Sequence, residues 1–288
     1  MLFANCHFHS TFSDDEYTPE ELVSRGVAAG FRAMVLTDHD TMRGSYFFAR
    51  AARAAGVFTL TGCEFSAKHP ETEFHIVGVD FNPENEKIRE ILRRGAAKQT
   101  ERTHALFDYG VAHGTIREGA TWQEVLDANP DNDYICNNQV FRLMLAKGIY
   151  QKEEYDEFLM SNFSYALPQS KAMAPMLREK YTNTVGEVLR AIRDAGGVPI
   201  IAHPEGKEKY ADDLVALGAL GFETSHPEIS DACKLFFSAY CDKHNLYQLG
   251  GTDHSSVLGG TGYQADMPPE SGNVTEEHFM QLYRRERG

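Results

Sequence analysis

Few features of this 288-residue sequence suit a secreted or membrane-bound protein. It has only five cysteines, an odd number, and no Cys-x-x-Cys pair occurs among them. No apolar run approaches the ~18 residues of a transmembrane helix, and no secretory signal is recognisable at the amino terminus. We therefore expect reduced thiols, a cytoplasmic location and no contact with a membrane.

Positive charge is also scarce. Lysine and arginine number 28 against 42 aspartate and glutamate residues, which gives a formal net charge of −14. Because binding of long nucleic acid requires clustered positive charge, this composition argues against such a partner. It still allows a local cationic pocket for a small anion. The sequence does not indicate an oligomeric state.

Short apolar strands alternate with helical patterns along most of the chain. We predict seven strands separated by helices, at residues 2–9, 33–37, 57–65, 74–81, 198–202, 221–225 and 246–252. This alternation favours an α/β fold of parallel βα units that close into a barrel. Helical patterns dominate after the fourth strand, so we predict a barrel of residues 1–83 and 180–288 with a helical insertion at 84–179.

Imidazoles and carboxylates gather at the ends of the predicted strands. His7 and His9 are two residues apart on the first strand, so their rings point to the same face. The other candidate metal ligands are Asp14, His39, Glu64, His75, His203, Asp253 and His254. The carboxyl ends of barrel strands converge on one mouth. These nitrogen and oxygen donors are more numerous than the four ligands of one tetrahedral ion. They suit two or three divalent ions, such as zinc, manganese or iron.

Single members of this set have ordinary explanations. A lone His-x-His pair is most often a chance feature of a core or surface, and His203 alone would pass for a satisfied strand-end histidine. Asp38 is better explained as a helix cap than as a ligand. The prediction of a metal centre rests on the coincidence of all these residues at strand ends.

A phosphate-bearing substrate would also need cations. Arg94, Lys98 and Arg102 are spaced i, i+4 and i+8 on one helix, although a solvated helix face explains the first two equally well. The predicted substrate-binding residues are Arg102, Lys98, Arg43, Gln139 and Lys171. His226 follows a strand end, and we predict that it is a polar or acid group near the leaving oxygen.

The ligand pattern resembles a known family. The matching residues are His7-Phe8-His9-Ser10, Asp14, Thr37-Asp38-His39-Asp40, Glu64, His75, His203-Pro204 and Asp253. Together they resemble the polymerase and histidinol phosphatase (PHP) superfamily of metal-dependent phosphoesterases. The resemblance implies a distorted (β/α)7 barrel with up to three ions at its mouth, bridged by Glu64, and a phosphate-binding role for Arg102. It also implies hydrolysis of phosphate esters on small molecules.

The layout is most similar to the branch of nucleoside 3′,5′-bisphosphate phosphatases and phosphoribosyl cyclic phosphate diesterases. Two departures from the family pattern stand out. Gln139 replaces a common histidine, and Asp253 and His254 are adjacent where Asp-x-His is usual, so His254 can ligate only if the backbone bends. These departures favour a cyclic phosphodiester that is opened and then hydrolysed as the monoester.

We expect two or three divalent ions, with manganese favoured over zinc or iron, and a metal-bound hydroxide as nucleophile. Asp14, Glu64 and His226 are the predicted catalytic residues. The alternatives are a nucleoside 3′,5′-bisphosphate phosphatase and a short-oligonucleotide exonuclease, followed by a histidinol phosphatase and a non-catalytic metal-binding module. No nucleophile elbow, Walker loop or dinucleotide motif is present in the sequence.

Overall fold

The computed structural model describes residues 2–164, 182–255 and 272–285. Strands and helices alternate through these segments. The strands are β1 Ala4–Asn5, β2 Ala33–Met34, β3 Gly62–Lys68, β4 Glu73–Val79, β5 Val198–Ile201, β6 Gly221–Ser225 and β7 Tyr247–Gly250. The helices are α1 Pro19–Ala29, α2 Arg43–Ala54, α3 Glu86–Ala112, α4 Trp122–Asp127, α5 Asn137–Ala146, α6 Tyr155–Asn162, α7 Val185–Asp194, α8 Ala211–Leu217, α9 Asp231–His244 and α10 Glu276–Tyr283.

The strands form two sheets, so the mixed α/β class is confirmed. β1 and β2 are a parallel pair, and the second sheet has the order β3-β4-β5-β6-β7. β5, β6 and β7 are parallel, but β4 is antiparallel to both of its neighbours. The prediction of parallel units throughout is therefore wrong at β4. Only residues 69–72 join β3 to β4, and a parallel crossover needs about a dozen residues or more.

Isolated bridges bring the two sheets together. His39 pairs with Glu64 and Phe8 with His254, each in parallel fashion. The sheets nevertheless stay separate in the hydrogen-bond pattern, so a closed barrel is not confirmed. Glu64 also differs from expectation, since it is the third residue of β3 and not its last. The ladder with β4 continues beyond it to Lys68, which lengthens the strand.

Helix boundaries follow their capping residues closely. Thr18 and Glu21 form a capping box at the start of α1, and Pro19 is its first residue. Gly30 ends that helix with a φ of 98°, a conformation that glycine adopts without strain. This start and stop agree with the sequence pattern.

Among the hydrophobic clusters of the described residues, two lie against the helices that follow β2. One lies between the larger sheet and helices α7 and α9, and includes Phe65, Ile192 and Phe237. The other lies among helices α3 to α6 around Phe141 and Phe158. The predicted helices of the 84–179 segment are thus present up to residue 162, and they bury an apolar cluster of their own.

The cysteines and the helix lengths bear on whether the chain forms disulfides or crosses a membrane. All five cysteines are buried, and none of them forms a disulfide. Across the segments that the structure describes, no helix has the length together with the apolar character needed to span a bilayer.

Candidate metal centre

The Glu64 carboxylate lies at the centre of a cluster of imidazole rings. It is fully buried, since β4 pairs with one edge of its strand and the bridge to His39 covers the other edge at this residue. Three ring nitrogens approach Oε2, at 3.1 Å for His7, 3.3 Å for His9 and 3.1 Å for His39. Two more approach Oε1, at 2.9 Å for His75 and 3.1 Å for His203. Both oxygens therefore face several nitrogen donors.

Carboxylates extend this cluster on two sides. Asp253 Oδ1 lies 2.9 Å from His9 Nε2, and Asp14 Oδ1 lies 3.6 Å from the other nitrogen of the same ring. Asp14 Oδ2 is 3.6 Å from His39 Nε2. Four groups have donor atoms within 4.8 Å of one another: His7–His9–Glu64–Asp253, His39–Glu64–His75, His9–Asp14–His39 and His7–Glu223–His226. Shared members make this one continuous centre.

The donor atoms fit divalent ions. His7 Nε2 and Glu64 Oε2 are buried and have no hydrogen-bond partner among the described residues, although they lie 3.1 Å apart. Leaving a buried polar atom unsatisfied costs about 1–3 kcal/mol, and a shared cation would satisfy both atoms. The mixed nitrogen and oxygen set suits manganese, zinc or iron. The residues present therefore fit the ions that the sequence predicts.

Electrostatics hold the carboxylates in the ionised form that a ligand needs. Burial would raise the pKa of Glu64, but the His7, His39 and His75 rings hold it well below its usual range. Burial likewise opposes ionisation of Asp253, and its neighbouring rings lower its pKa strongly. Burial would lower the pKa of His9, yet the nearby carboxylates, Asp14 foremost, raise it to about 9. The pKa values of His7, His9 and His203 are raised, so protons on these three rings offset part of the buried negative charge when no ion is bound.

The backbone bends at Asp253, shortly after the end of β7. Such a bend is the condition that the sequence analysis set for a ligand role of His254. Asp253 has a φ of 48°, in the left-handed region, and its side chain turns toward His9. His254 does not join any of the four groups. Its Nδ1 lies 2.7 Å from Asp15 Oδ2, in a fully buried pair. The geometry gives no support to the predicted ligand role of His254, because the bend directs the two side chains to different partners.

His226 lies beside this centre, in a group with His7 and Glu223. Its ring is fully buried, and Nε2 is 3.3 Å from Asp253 Oδ2. Nδ1 accepts a hydrogen bond from the Glu228 amide at 3.0 Å. In the neutral ring the proton must then be on Nε2, on the side of the ring that faces Asp253.

The residues predicted to bind substrate lie in different surroundings, some buried and some exposed. Arg102 is buried on α3, and its Nη2 donates to the Phe163 carbonyl at 3.1 Å. Lys98 is half-buried on the same helix. Arg43 begins α2, and its Nε is 3.4 Å from Asp133 Oδ2. Lys171 lies outside the described residues.

Gln139, the fifth predicted substrate residue, faces into the protein. Its side chain is fully buried, its Oε1 accepts from the Cys136 amide at 2.8 Å, and its Nε2 donates to the Ser13 carbonyl. Both ends of the amide are thus used within the protein. Asp38 was expected to cap a helix, but α2 has no side-chain cap. Asp38 accepts bonds from the Ser10 amide and hydroxyl and from the Ser13 hydroxyl, at 2.6, 2.7 and 2.8 Å.

Glu223 is the main residue that the sequence reading missed. It is fully buried on β6, with Oε1 2.9 Å from His7 Nδ1, and Oε2 accepts from the His203 amide at 2.7 Å. A carboxylate on the far nitrogen of a metal-binding histidine orients the ring. The sequence signal was limited to one acidic residue within the predicted strand Gly221–Ser225, since a carboxylate that becomes buried there needs a partner.

Comparisons with known proteins agree with this arrangement. The 3′,5′-nucleoside bisphosphate phosphatase of Chromobacterium violaceum is 26% identical over 282 residues, which cover 93% of this chain and 94% of the relative. The 5′-3′ exoribonuclease of Haemophilus influenzae is 28% identical, with 75% and 77% covered. The phosphoribosyl 1,2-cyclic phosphate 1,2-diphosphodiesterase of Eggerthella lenta is 24% identical, with 90% and 96% covered.

The fold is also similar to solved structures. A crystal structure of a candidate metal-dependent phosphoesterase from Bifidobacterium adolescentis superposes with a TM-score of 0.77 at 21% identity, covering 98% of this chain and 95% of that one. A family model described as the PHP domain matches residues 5–161, which is more than half of the sequence. That match includes six members of the cluster around Glu64, from His7 to His75. The chain therefore belongs to the PHP domain family.

Proposed function

We propose that this protein is a metal-dependent phosphoester hydrolase that acts on a small phosphorylated ribose or nucleotide. The observation that carries the proposal is the buried Glu64 carboxylate, whose two oxygens face five imidazole rings. Divalent ions bound there would supply Lewis acidity toward phosphate oxygens and lower the pKa of bound water. Manganese is the ion we favour, with zinc and iron as alternatives.

The side chains divide naturally among three ion positions. The first is formed by His7, His9 and Asp253 on the Oε2 side of Glu64. The second is formed by His39, His75 and His203 around the same carboxylate, and the third by His9, Asp14 and His39. Glu64 would be shared by the first two positions, because its oxygens are 3.3 Å or less from rings of both.

His226 is placed to manage a proton next to these positions. Its Nε2 atom lies 3.3 Å from Asp253 Oδ2, so the Nε2 proton faces that oxygen. The Glu228 amide donates to the other ring nitrogen and holds the ring in place. We propose that this N–H supports the oxygen that leaves phosphorus. Arg102, Lys98, Arg43 and Lys171 remain our candidates for holding substrate phosphates.

For the substrate, we propose a cyclic phosphodiester of ribose that is opened and then hydrolysed as the monoester, with a nucleoside 3′,5′-bisphosphate as the alternative. The Eggerthella and Chromobacterium relatives are named for these two activities. We also propose that residues 1–83 and 180–288 form a distorted barrel and that residues 84–179 are a helical insertion over the site. The bridges Phe8–His254 and His39–Glu64 support the barrel.

The testing experiment is a substrate screen of the protein loaded with Mn²⁺, Zn²⁺ or Fe²⁺. Phosphate release from phosphoribosyl 1,2-cyclic phosphate and from a nucleoside 3′,5′-bisphosphate is measured with and without added phosphatase. Release from the cyclic ester without added phosphatase indicates cleavage of both ester bonds. His75→Ala should abolish release, whereas His113→Ala, at an exposed histidine, should not. Absence of turnover on every phosphate ester with all three metals would overturn the proposal.

One observation favours a second candidate, the exonuclease that acts on short oligonucleotides. Phe12, two residues before Asp14, stacks on Phe47 with ring centroids 5.6 Å apart and planes 12° apart. These rings line a groove of about 660 Å³ together with Arg93, an exposed arginine with no ion-pair partner among the described residues. Stacked aromatic rings beside a cation are typical of single-stranded nucleic-acid sites.

The groove gives this candidate its own test. Phe47 is 43% exposed, and Phe236 on α9, at 42%, provides a matched control. Because base stacking contributes about 1–3 kcal/mol, Phe47→Ala should lower kcat/KM for a trinucleotide roughly tenfold. Phe236→Ala should leave it unchanged. Equal kcat/KM values for the wild type and Phe47→Ala would exclude this groove from oligonucleotide binding.

A further inference from the structure

The loop that carries Asp14 is held by side chains from a distant part of the chain. Residues 11–15 follow β1, and four of their carbonyl oxygens accept hydrogen bonds from the segment that leads into and forms the first half of α5. The donors are Asn132 to Thr11 at 2.9 Å, Gln139 to Ser13, Asn138 to Asp14, and Arg142 to Asp15 at 3.2 Å. We name these four donors, Asn132, Asn138, Gln139 and Arg142, the loop clamp.

The two central members of the loop clamp are themselves fixed. Gln139 is fully buried, and its Oε1 accepts from the Cys136 amide at the start of α5. Asn138 is 2% exposed, and its Oδ1 accepts from the Tyr155 hydroxyl of α6. Each amide therefore has one end bound to the helical segment and the other end on the loop. Such amides cannot rotate without breaking a buried hydrogen bond, so they transmit the position of α5 to the loop.

The opposite side of the loop is held equally firmly. Asp38 accepts bonds from the Ser10 amide and from the Ser10 and Ser13 hydroxyls, all at 2.8 Å or less. The main chain around Asp14 thus lies between Asp38, in the segment after β2, on one side and α5 on the other. Asp14 itself has its two oxygens 3.6 Å from His9 Nδ1 and 3.6 Å from His39 Nε2.

We propose that Gln139 and Asn138 are positioning residues that set the affinity of the His9–Asp14–His39 ion position. The inference rests on the proposed function, because it assumes that the cluster binds ions. Asp14 is the single member of the four groups that lies in the clamped loop. Loss of the clamp should therefore weaken this one position and leave the Glu64 positions intact. The helical segment would then determine whether the centre holds a third ion.

The test uses Gln139→Met, which preserves the length of the side chain and removes both hydrogen bonds. Gln123→Met, at an exposed glutamine of α4, is the matched control. Bound manganese per chain is measured by elemental analysis after equilibrium dialysis against graded free Mn²⁺. We expect one ion of Gln139→Met to bind about 10–100-fold more weakly, the usual effect of removing a partner that orients a ligand. The other ions should bind with unchanged affinity.

Two further variants keep the inference falsifiable. Asp14→Ala removes the ligand itself, and adding Gln139→Met to it should cause no additional loss, because both changes act on the same ion. Asn132→Ala deletes a half-buried member of the loop clamp, and it should give a smaller effect of the same kind if Gln139→Met fails to fold.

The outcomes separate this inference from the proposed function. If the wild type binds none of Mn²⁺, Zn²⁺ and Fe²⁺, the proposed function fails. If the wild type binds ions and Gln139→Met binds the same number with the same affinities, the positioning role is overturned while the function stands. A uniform weakening of every ion, with a lowered melting temperature of the metal-free variant, would also overturn it by showing general damage.

Discussion

The Glu223 carboxylate lies 2.9 Å from His7 Nδ1, and both side chains are fully inaccessible to solvent. The second oxygen of Glu223 accepts a hydrogen bond from the His203 amide at 2.7 Å. One carboxylate therefore holds both the His7 ring and the His203 backbone. The Nε2 atom of His7 is thereby aimed at Glu64. This contact joins β6 to the metal centre.

Glu223→Gln should weaken metal binding without removing a donor to the ion. The neutral amide keeps the size of the side chain but holds the His7 ring less strongly, so we expect a 10–100-fold loss of Mn²⁺ affinity. Calorimetric titration of the metal-free protein measures it. Glu101→Gln, at an exposed residue of α3, is the control. Unchanged affinity in Glu223→Gln would show that the contact does not orient the ligand.

Glu64→Gln should abolish turnover. One oxygen of the carboxylate becomes an NH₂ group, which cannot bind a cation, so the first two ion positions lose their shared ligand. We expect phosphate release to fall by roughly 10²-fold or more, beyond the effect of an orienting residue. Steady-state assays at saturating Mn²⁺ test this. Retention of near wild-type kcat would remove Glu64 from the mechanism.

Metal binding should release protons near neutral pH. The pKa of His9 in the metal-free protein is raised to about 9, so its ring is protonated at pH 7, whereas a metal ligand must be neutral. Ion affinity should therefore rise with pH up to about 9 and fall as the solution is acidified. Calorimetric titrations at pH 7 in buffers of different ionisation enthalpy detect the released proton. Identical heats in the two buffers would contradict this prediction.

The helical cluster should depend on Phe141 for its stability. The ring is fully buried and contacts Tyr150, Tyr155 and Phe158, with centroid separations of 5.7, 5.1 and 5.0 Å. Phe141→Ala leaves a cavity, and we expect the free energy of unfolding to fall by about 3–5 kcal/mol. Denaturant unfolding of the metal-free protein measures this. A loss below about 1 kcal/mol would mean that the cluster closes around the cavity.

The sequence predicted the residues of the centre better than their surroundings. The spacing of His7 and His9 predicted both rings on one face, and both approach Glu64 Oε2 although β1 ends at Asn5 and only Phe8 between them forms a bridge. Glu223 was missed because its contacts with His7 and His203 depend on the register that brings β6 beside β5. No local sequence pattern reveals that register.

Local backbone geometry explains the other differences. The direction of His254 depends on the left-handed φ of Asp253, and a non-glycine residue seldom adopts this conformation. The antiparallel β4 follows from the short connection at residues 69–72, a feature that was visible in the sequence. The role of Gln139 could not be inferred, because its partner Ser13 is distant in sequence and offers only a backbone carbonyl.

The central claim is that several divalent ions bind around Glu64, and anomalous diffraction from crystals grown with Mn²⁺ tests it most directly. We predict anomalous peaks next to both oxygens of Glu64, one within bonding distance of His7 or His9 and another within bonding distance of His75 or His203. An absence of anomalous density among these side chains at saturating Mn²⁺ would contradict the account.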